Sequence, residues 1–257
     1  MRVYFIGAGP GAADLITLRG VRILNNTLMV MYAGSLVPAE ILTHCHKDAT
    51  LINTASLSLP QQIDLFKEAR DKDINVARLH SGDPAIYGAI NEQMNQLQDL
   101  GIAFEIVPGV SSFTAAAASI NCELTKPNVS QSIILTRVSG RASKIKEKES
   151  LENLAKHQAT MCIFLSGAHL PNIIPILLKN YASDTPIALV YKASTSEERK
   201  HISTLENVLN EINVANWVLT TMLLVGDVLR PDLNFNSCLY SINYSHKYRK
   251  AKGKSSE

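Results

Sequence analysis

The sequence predicts an α/β protein of two domains, each a mainly parallel or mixed sheet with helices on both faces. Three observations predict it. Short apolar runs alternate with segments of helical period, as in parallel sheets buried on both sides. The alternation runs twice, with a polar break over Asn121 to Gln131. Small and turn-forming residues gather where the apolar runs end, as at Gly7 to Gly11 and Ser81 to Asp83. The expected domains are 1–120 and 121–257, with a ligand cleft between them beyond the carboxyl ends of the strands.

The first half predicts strands at 2–6, 28–32, 50–53, 74–80 and 104–107. Helices are expected over 14–25, 60–71, 84–100 and 111–121. The third of these has the clearest start. Asp83 is a good N-cap, Pro84 suits the first helical position, and Ile86, Ile90, Met94 and Leu97 mark one apolar face. In the second half SIILT, TMCIFLS, PIALVY and VLTTMLLVG read as strands. LENLAKH, LPNIIPILLKN and TLENVLNEI read as helices between them.

Composition narrows the function. Of 257 residues 46% are apolar and 19% charged, which supports sizeable cores and excludes global disorder. The 25 basic and 23 acidic residues leave a formal charge of +2, against a dedicated nucleic-acid binder. The basic stretch 246–257 reads as a solvated tail. Cysteines at 45, 122, 162 and 238 show no C-x-x-C spacing, so neither a disulfide framework nor a zinc ribbon is expected, and Cys162 reads as a core thiol. His44-Cys45-His46 invites a metal, but adjacent side chains diverge and no second cluster has ligand spacing. No metal is expected. The chain enters a strand directly after Met1-Arg2, without a signal peptide, a transit peptide or a long apolar run. A cytoplasmic protein without membrane association is expected.

The opening VYFIGAGPGAADLITLRG loosely matches the G-x-G-x-x-G/A dinucleotide fingerprint through Gly7, Gly9 and Ala12. A Rossmann site also wants an acidic residue after the second strand, to hold the ribose. Here that strand ends at Tyr32 and runs into Ala33-Gly34-Ser35-Leu36. Pro10 removes one backbone N–H that a pyrophosphate could use. An NAD(P)-dependent oxidoreductase is therefore the weaker class. Further strand-turn-helix junctions follow. RLHSGDPAIYGAINEQ puts Ser81, Gly82 and Asp83 on the loop after a strand, where a carboxylate suits hydroxyls or a cation and repels phosphate. VPGVSSFTAAAA repeats the plan with Ser111, Ser112 and a helix start of small residues, and YAGSLVP places Gly34 and Ser35 on a third such loop.

Taken together, these segments resemble the tetrapyrrole methyltransferases of corrin biosynthesis. The resemblance rests on VYFIGAGPGAADLITLRG, MYAGSLVP, RLHSGDPAIYGAINEQM, FEIVPGVSSFTAAAA, ELTKPNVSQSIILTR, TPIALVYKAS and LYSINYSHKYRK, from about residue 1 to 250. The glycine-rich start is shared across the superfamily. YAGSLV, GDPAIYGAI and VSQSIILTR point to the branch that methylates C11 of precorrin-4 or cobalt-precorrin-4. The chain departs from the family pattern at Lys126, Asn128, the basic stretch 141–148 and SGAHL.

The resemblance implies a homodimer of two-domain subunits in the tetrapyrrole methylase fold. Each would bind S-adenosylmethionine in the cleft between its domains. It carries the contacts to that methyl donor onto Pro10, onto Ser81, Gly82, Asp83, Ile86 and Tyr87, onto Ser111 and Ser112, and onto Leu165, Ala188 and Thr221, the last three mostly through backbone at strand ends. The implied reaction is methyl transfer to a macrocycle carbon, and no residue stands out as a general base. His80 is expected to pack at a strand end. The substrate carries many carboxylates around an apolar ring, so basic groups are expected at the rim. Arg137, Lys126, Arg141 and Lys192 lie at predicted strand ends, and Arg137 is preferred because its planar fork suits carboxylates. Tyr32 and Ser35 are expected to touch the macrocycle. The competing readings are methylation of another ring carbon by the same fold, the NAD(P) enzyme, and a non-catalytic tetrapyrrole carrier.

Overall fold

The computed structural model describes residues 1–138, 145–218, 220–233 and 237–251. Residues 141–144, with Arg141, and the tail beyond Ala251 lie outside the described residues. The chain divides into two compact units. The first takes Met1–Ser119 and Val190–Arg199; the second takes Ile120–Leu189 and the chain from Lys200 onward.

In the first unit, five strands form a parallel sheet in the order β3-β2-β4-β1-β5. They are β1 (Arg2–Gly7), β2 (Met29–Tyr32), β3 (Thr50–Asn53), β4 (Val76–His80) and β5 (Ala103–Val107). The helices between them are α1 (Leu18–Asn25), α2 (Leu59–Asp71), α3 (Ile90–Asp99) and α4 (Ser112–Ser119). Alternation along the strands feeds two cores. Val3, Phe5, Met31 and Val76 pack with Ile63 and Phe66 of α2 and Ile90 and Leu97 of α3. Ile6, Val30, Leu79 and Val107 face the other way, with Leu24 of α1 and Ile41. Both faces are covered, as a parallel sheet requires. At α2 the Ser58 N–H donates to Gln61 Oε1 at 2.9 Å in a capping box, and Pro60 sits in the first turn.

The second unit carries β6 (Ile133–Arg137), α5 (Leu151–Ala155), β7 (Thr160–Phe164), α6 (Leu170–Leu177), β8 (Pro186–Tyr191), β9 (Arg199–Thr204), α7 (Val208–Glu211) and β10 (Thr221–Val225). Its sheet order is β6-β7-β10-β8-β9. β6 runs parallel to β7, and β10 antiparallel to it, so this sheet is mixed. Every residue of β7 and β10 is buried, and both read in sequence as unbroken apolar runs.

The structure corrects several expectations. The helix expected at 84–100 begins only at Ile90. Residues 84–87 form a separate turn, and Tyr87 (φ 55°) and Ala89 (φ 48°) are left-handed, which no helix accommodates. Asp83 caps that turn rather than the helix: its Oδ1 accepts from Ala85 N at 2.8 Å. The helix expected at 14–25 starts at Leu18, where the Thr17 side chain accepts from Gly20 N at 3.1 Å. TLENVLNEI gives only the four-residue α7, because its first residue ends β9. β9 was not expected. RKHIST has a single apolar residue, the charged pattern of an edge strand.

Phe66 is completely buried beneath the sheet. Phe66→Ala is expected to cost about 3–5 kcal/mol. The measurement is urea unfolding, with a lower midpoint and an unchanged slope.

Candidate functional site

The carboxyl ends of β1, β4 and β5 are adjacent, because β1 lies between the other two. The chain reverses its direction of strand addition around β1, which makes this a switch point where ligands collect in such sheets. Two glycines, Gly7 and Gly109, let the loops meet there. A Cβ on Gly7 would lie 2.6 Å from both Gly109 Cα and the Gly82 carbonyl oxygen. A Cβ on Gly109 would lie 2.7 Å from Gly7 Cα and closer still to the Gly82 oxygen. No side chain fits between these backbones.

Backbone hydrogen bonds lock the contact. Gly82 N donates to Gly9 O at 2.8 Å, Gly9 N to Gly82 O at 3.3 Å, and Ala8 N to His80 O at 2.8 Å. Asp83 completes the lock with a carboxylate split between two loops. Its Oδ1 holds the Ala85 N–H at 2.8 Å, and its Oδ2 holds the Gly109 N–H at 3.0 Å.

The same bonds decide the dinucleotide question. The amides of Ala8 and Gly9 are used within the fold, Ala12 N donates to Ser194 Oγ at 3.0 Å, and Pro10 has no N–H. The turn leads into a short 3-10 segment at Ala13–Leu15, not into the N-terminus of a helix. A diphosphate would find most of these donors already used and no helix N-terminus to receive it.

Beside the locked loops, the Gly82 backbone is not crowded. A Cβ on Gly82 (φ 65°) would meet nothing nearer than Ser111 Cα at 3.7 Å and Ser112 N at 3.8 Å. Pro10, Ser81, Gly82, Asp83, Ser111 and Ser112 therefore come together on three adjoining loops. Ser111 is buried and Ser81 exposed. Ile86 is half-buried and Tyr87 is 47% exposed, both on the turn capped by Asp83. Tyr32 ends β2 on the same edge of the sheet, its carbonyl accepting from Thr54 N at 2.8 Å. Ser35 is exposed on the turn that follows.

In the second unit, Leu165 follows β7 with φ 52° and is 44% exposed. A left-handed leucine costs roughly 1–2 kcal/mol, strain of the kind that gathers at functional positions. Thr221 opens β10, antiparallel to β7, so the two lie at one end of the sheet. The Thr221 Oγ1 is buried without a partner, and a Cβ on Gly167 would come within 2.8 Å of it. Ala188 differs from the expected strand-end position: it is the third residue of β8 and fully buried.

The expected basic rim is uneven. Arg137 is the last residue of β6 and half-buried. Lys126 Nζ donates to the Arg230 carbonyl at 3.2 Å. Lys192 Nζ is paired with Glu197 Oε1 at 2.6 Å. In the His44-Cys45-His46 stretch, His44 Nε2 lies 3.1 Å from the Ala13 carbonyl oxygen. Among the described residues, no group of three or more His, Cys, Asp or Glu is placed to hold a metal ion.

His80 packs at the end of β4, with its ring centroid 5.8 Å from that of Phe5 and its Nε2 buried without a partner. Burial, and then the charge of Arg78, push its pKa down to about 3. Three features of this site carry no local signal in the sequence. Gly109, whose N–H donates to Asp83 Oδ2, reads in sequence as part of an ordinary Pro-Gly turn. Ser194 lies too far along the chain to be linked to Ala12 by pattern. Arg78 looked like one charge in a strand, although it is 5% exposed.

Comparison with known proteins places these loops in context. A profile described as "Tetrapyrrole (Corrin/Porphyrin) Methylases" matches residues 2–209. A precorrin-4 C(11)-methyltransferase of Pseudomonas aeruginosa is 45% identical over 97% of this chain and 99% of its own. A cobalt-precorrin-4 C(11)-methyltransferase of Methanocaldococcus jannaschii is 42% identical over 97% of this chain and 96% of its own. A solved cobalt precorrin-4 methyltransferase superposes with a TM-score of 0.86 at 37% identity, covering 90% of this chain and 96% of that one. A uroporphyrin-III C-methyl transferase from Thermus thermophilus, solved with S-adenosyl homocysteine, gives a TM-score of 0.76 at 26% identity, covering 90% of this chain and 99% of that one. Among the described residues, no helix is long and apolar enough to cross a membrane.

Two predictions follow from the geometry. Gly109→Ala must displace either β1 or the Gly82 loop, and is expected to lower the melting temperature by several degrees in calorimetry. His80 stays neutral in the fold, whereas an unfolded histidine takes up a proton near pH 6.5. Its contribution is therefore complete above about pH 6.5 and is lost as pH falls toward 3, by at most about 1.4 kcal/mol per pH unit. His80→Gln should flatten the dependence of melting temperature on pH between about 6 and 4, and parallel curves for the two proteins would contradict the assignment.

Proposed function

We propose, from the premise that the chain belongs to the tetrapyrrole (corrin/porphyrin) methylase family, that it methylates C11 of precorrin-4 or cobalt-precorrin-4 with S-adenosylmethionine as methyl donor. The observation that carries this reading is likeness over nearly the whole length of both chains to proteins named for C11 transfer. The reaction belongs to cobalamin biosynthesis. Relatives with metal-free and with cobalt substrates match about equally well, so the chain is assigned the shared macrocycle and either state of its centre.

The site's own residues fit such a donor. A ligand can approach the backbone at Gly82, where even a Cβ would make only ordinary contacts with Ser111 and Ser112, and Asp83 sets a fixed carboxylate beside it. A carboxylate there suits ribose hydroxyls and the donor's cationic groups. Ser111 and Ser112 bring hydroxyls, Ile86 and Tyr87 an apolar wall, and Pro10 a rigid edge. Leu165, Ala188 and Thr221 are proposed to complete the set. Tyr32 and Ser35 are proposed to meet the macrocycle, and Arg137 one of its carboxylates.

Bound S-adenosylmethionine supplies an electrophilic methyl group, and the macrocycle carbon supplies the electron pair. The protein's share is alignment. Holding two reactants in line can supply ~7–11 kcal/mol in well-oriented systems. The locked loops serve this purpose, because neither Gly82 nor Asp83 can move without breaking bonds to the loops that follow β1 and β5. No side chain needs to form a covalent bond to the substrate. A homodimer in the cytoplasm is the proposed setting.

Titration calorimetry with S-adenosylhomocysteine tests the reading, with NAD as control. Binding of the first, absence of binding by NAD, and a loss of about tenfold or more in Asp83→Ala are expected. Binding of NAD without S-adenosylhomocysteine would return the glycine turn to a dinucleotide.

A further inference from the structure

Arg78 is the third residue of β4, on the same strand face as Val76 and His80, beneath α2 and α3. It is 5% exposed, and its partners are all neutral. Its Nε donates to Gln93 Oε1 on α3 at 3.4 Å, its Nη2 to Gln62 Oε1 on α2 at 3.2 Å, and its Nη1 to the Leu79 carbonyl at 3.5 Å. Among the described residues no carboxylate pairs with it. Burying a guanidinium without a counter-charge is costly, and an apolar residue would pack β4 at lower cost. Burial accordingly draws the pKa of Arg78 down to about 10.

The network has a direction. A guanidinium only donates, so Gln93 must turn its amide oxygen to Arg78 and its NH2 the other way. That NH2 donates to the Ala89 carbonyl at 3.4 Å. Ala89 closes the turn that carries Ile86 and Tyr87, and both Tyr87 (φ 55°) and Ala89 (φ 48°) are left-handed without being glycine. Such residues persist only where the surroundings over-determine them. The turn is held at its start by Asp83, through Ala85 N at 2.8 Å, and at its end by Gln93.

We propose that Arg78, acting through Gln93, is a positioning residue that holds the Pro84 to Ala89 turn in the shape that receives S-adenosylmethionine. The inference rests on the methyltransferase reading and adds a residue that does not touch the ligand. Arg78 supplies the fixed donor that orients the Gln93 amide, and Gln93 passes that orientation to the turn.

Two variants separate positioning from plain stability. Gln93→Glu gives Arg78 its missing counter-charge but removes the side-chain N–H that reaches the Ala89 carbonyl, leaving that oxygen only its α3 backbone bond. Its melting temperature should match or exceed the wild type, while S-adenosylhomocysteine binds about tenfold more weakly. Gln62→Glu supplies the same counter-charge from α2 and leaves the Gln93 link intact, so its affinity should stay at the wild-type value. S-adenosylhomocysteine is the right probe because it lacks the sulfonium charge on which an added carboxylate would act. Wild-type affinity in a folded Gln93→Glu protein would overturn the proposal. Equal weakening in both variants, or affinity that falls only in step with melting temperature, would overturn it as well. A wild-type protein that failed to bind S-adenosylhomocysteine would end the methyltransferase reading itself, and the inference with it.

Discussion

The first unit depends on one close approach: the backbones of Gly7 and Gly109 meet each other and the Gly82 carbonyl with no room for a Cβ on either of the two. Everything at the carboxyl edge of the sheet follows from it. The Gly9–Gly82 bridge forms because the loops after β1 and β4 already touch. The Asp83 carboxylate reaches the Gly109 amide because β5 is held equally close. Amides that would cradle a phosphate in another fold are consumed in making this contact. The glycines that mimic a dinucleotide fingerprint thus serve the fold.

The chemistry makes modest demands of such a site. Methyl transfer to carbon needs two reactants held in line more than it needs an acid or a nucleophile. Rigidity at the ligand edge is therefore the useful property, and the structure supplies it at some cost. Tyr87, Ala89 and Leu165 hold left-handed backbones, and Arg78 is buried without a counter-charge. Departures of this kind from local preference tend to gather where a fold serves a ligand.

Much of this was legible in the sequence. The most buried strands were the most legible, since β7 and β10 are near-continuous apolar runs buried on both faces and β1 is apolar over most of its length. The three glycine and serine junctions were visible because turn chemistry is local. What the sequence hid is what distant residues do to one another. Asp83 and Pro84 read as a helix start, and only the left-handed Tyr87 and Ala89 reveal a separate turn. β9 was missed because an edge strand needs little apolar surface. Arg78 could not be told from a surface charge, because burial is set by α2 and α3 packing over it. Ser194 meets Ala12 across 182 positions, beyond any periodicity.

The most direct test of the account follows the methyl group itself. Incubation of the enzyme with S-adenosylmethionine labelled with carbon-13 in its methyl, and with the precorrin-4 macrocycle, should place the label on C11 alone in the NMR spectrum of the product. Label on another ring carbon would assign the chain to a sister branch of the family, and a product without label would contradict the account.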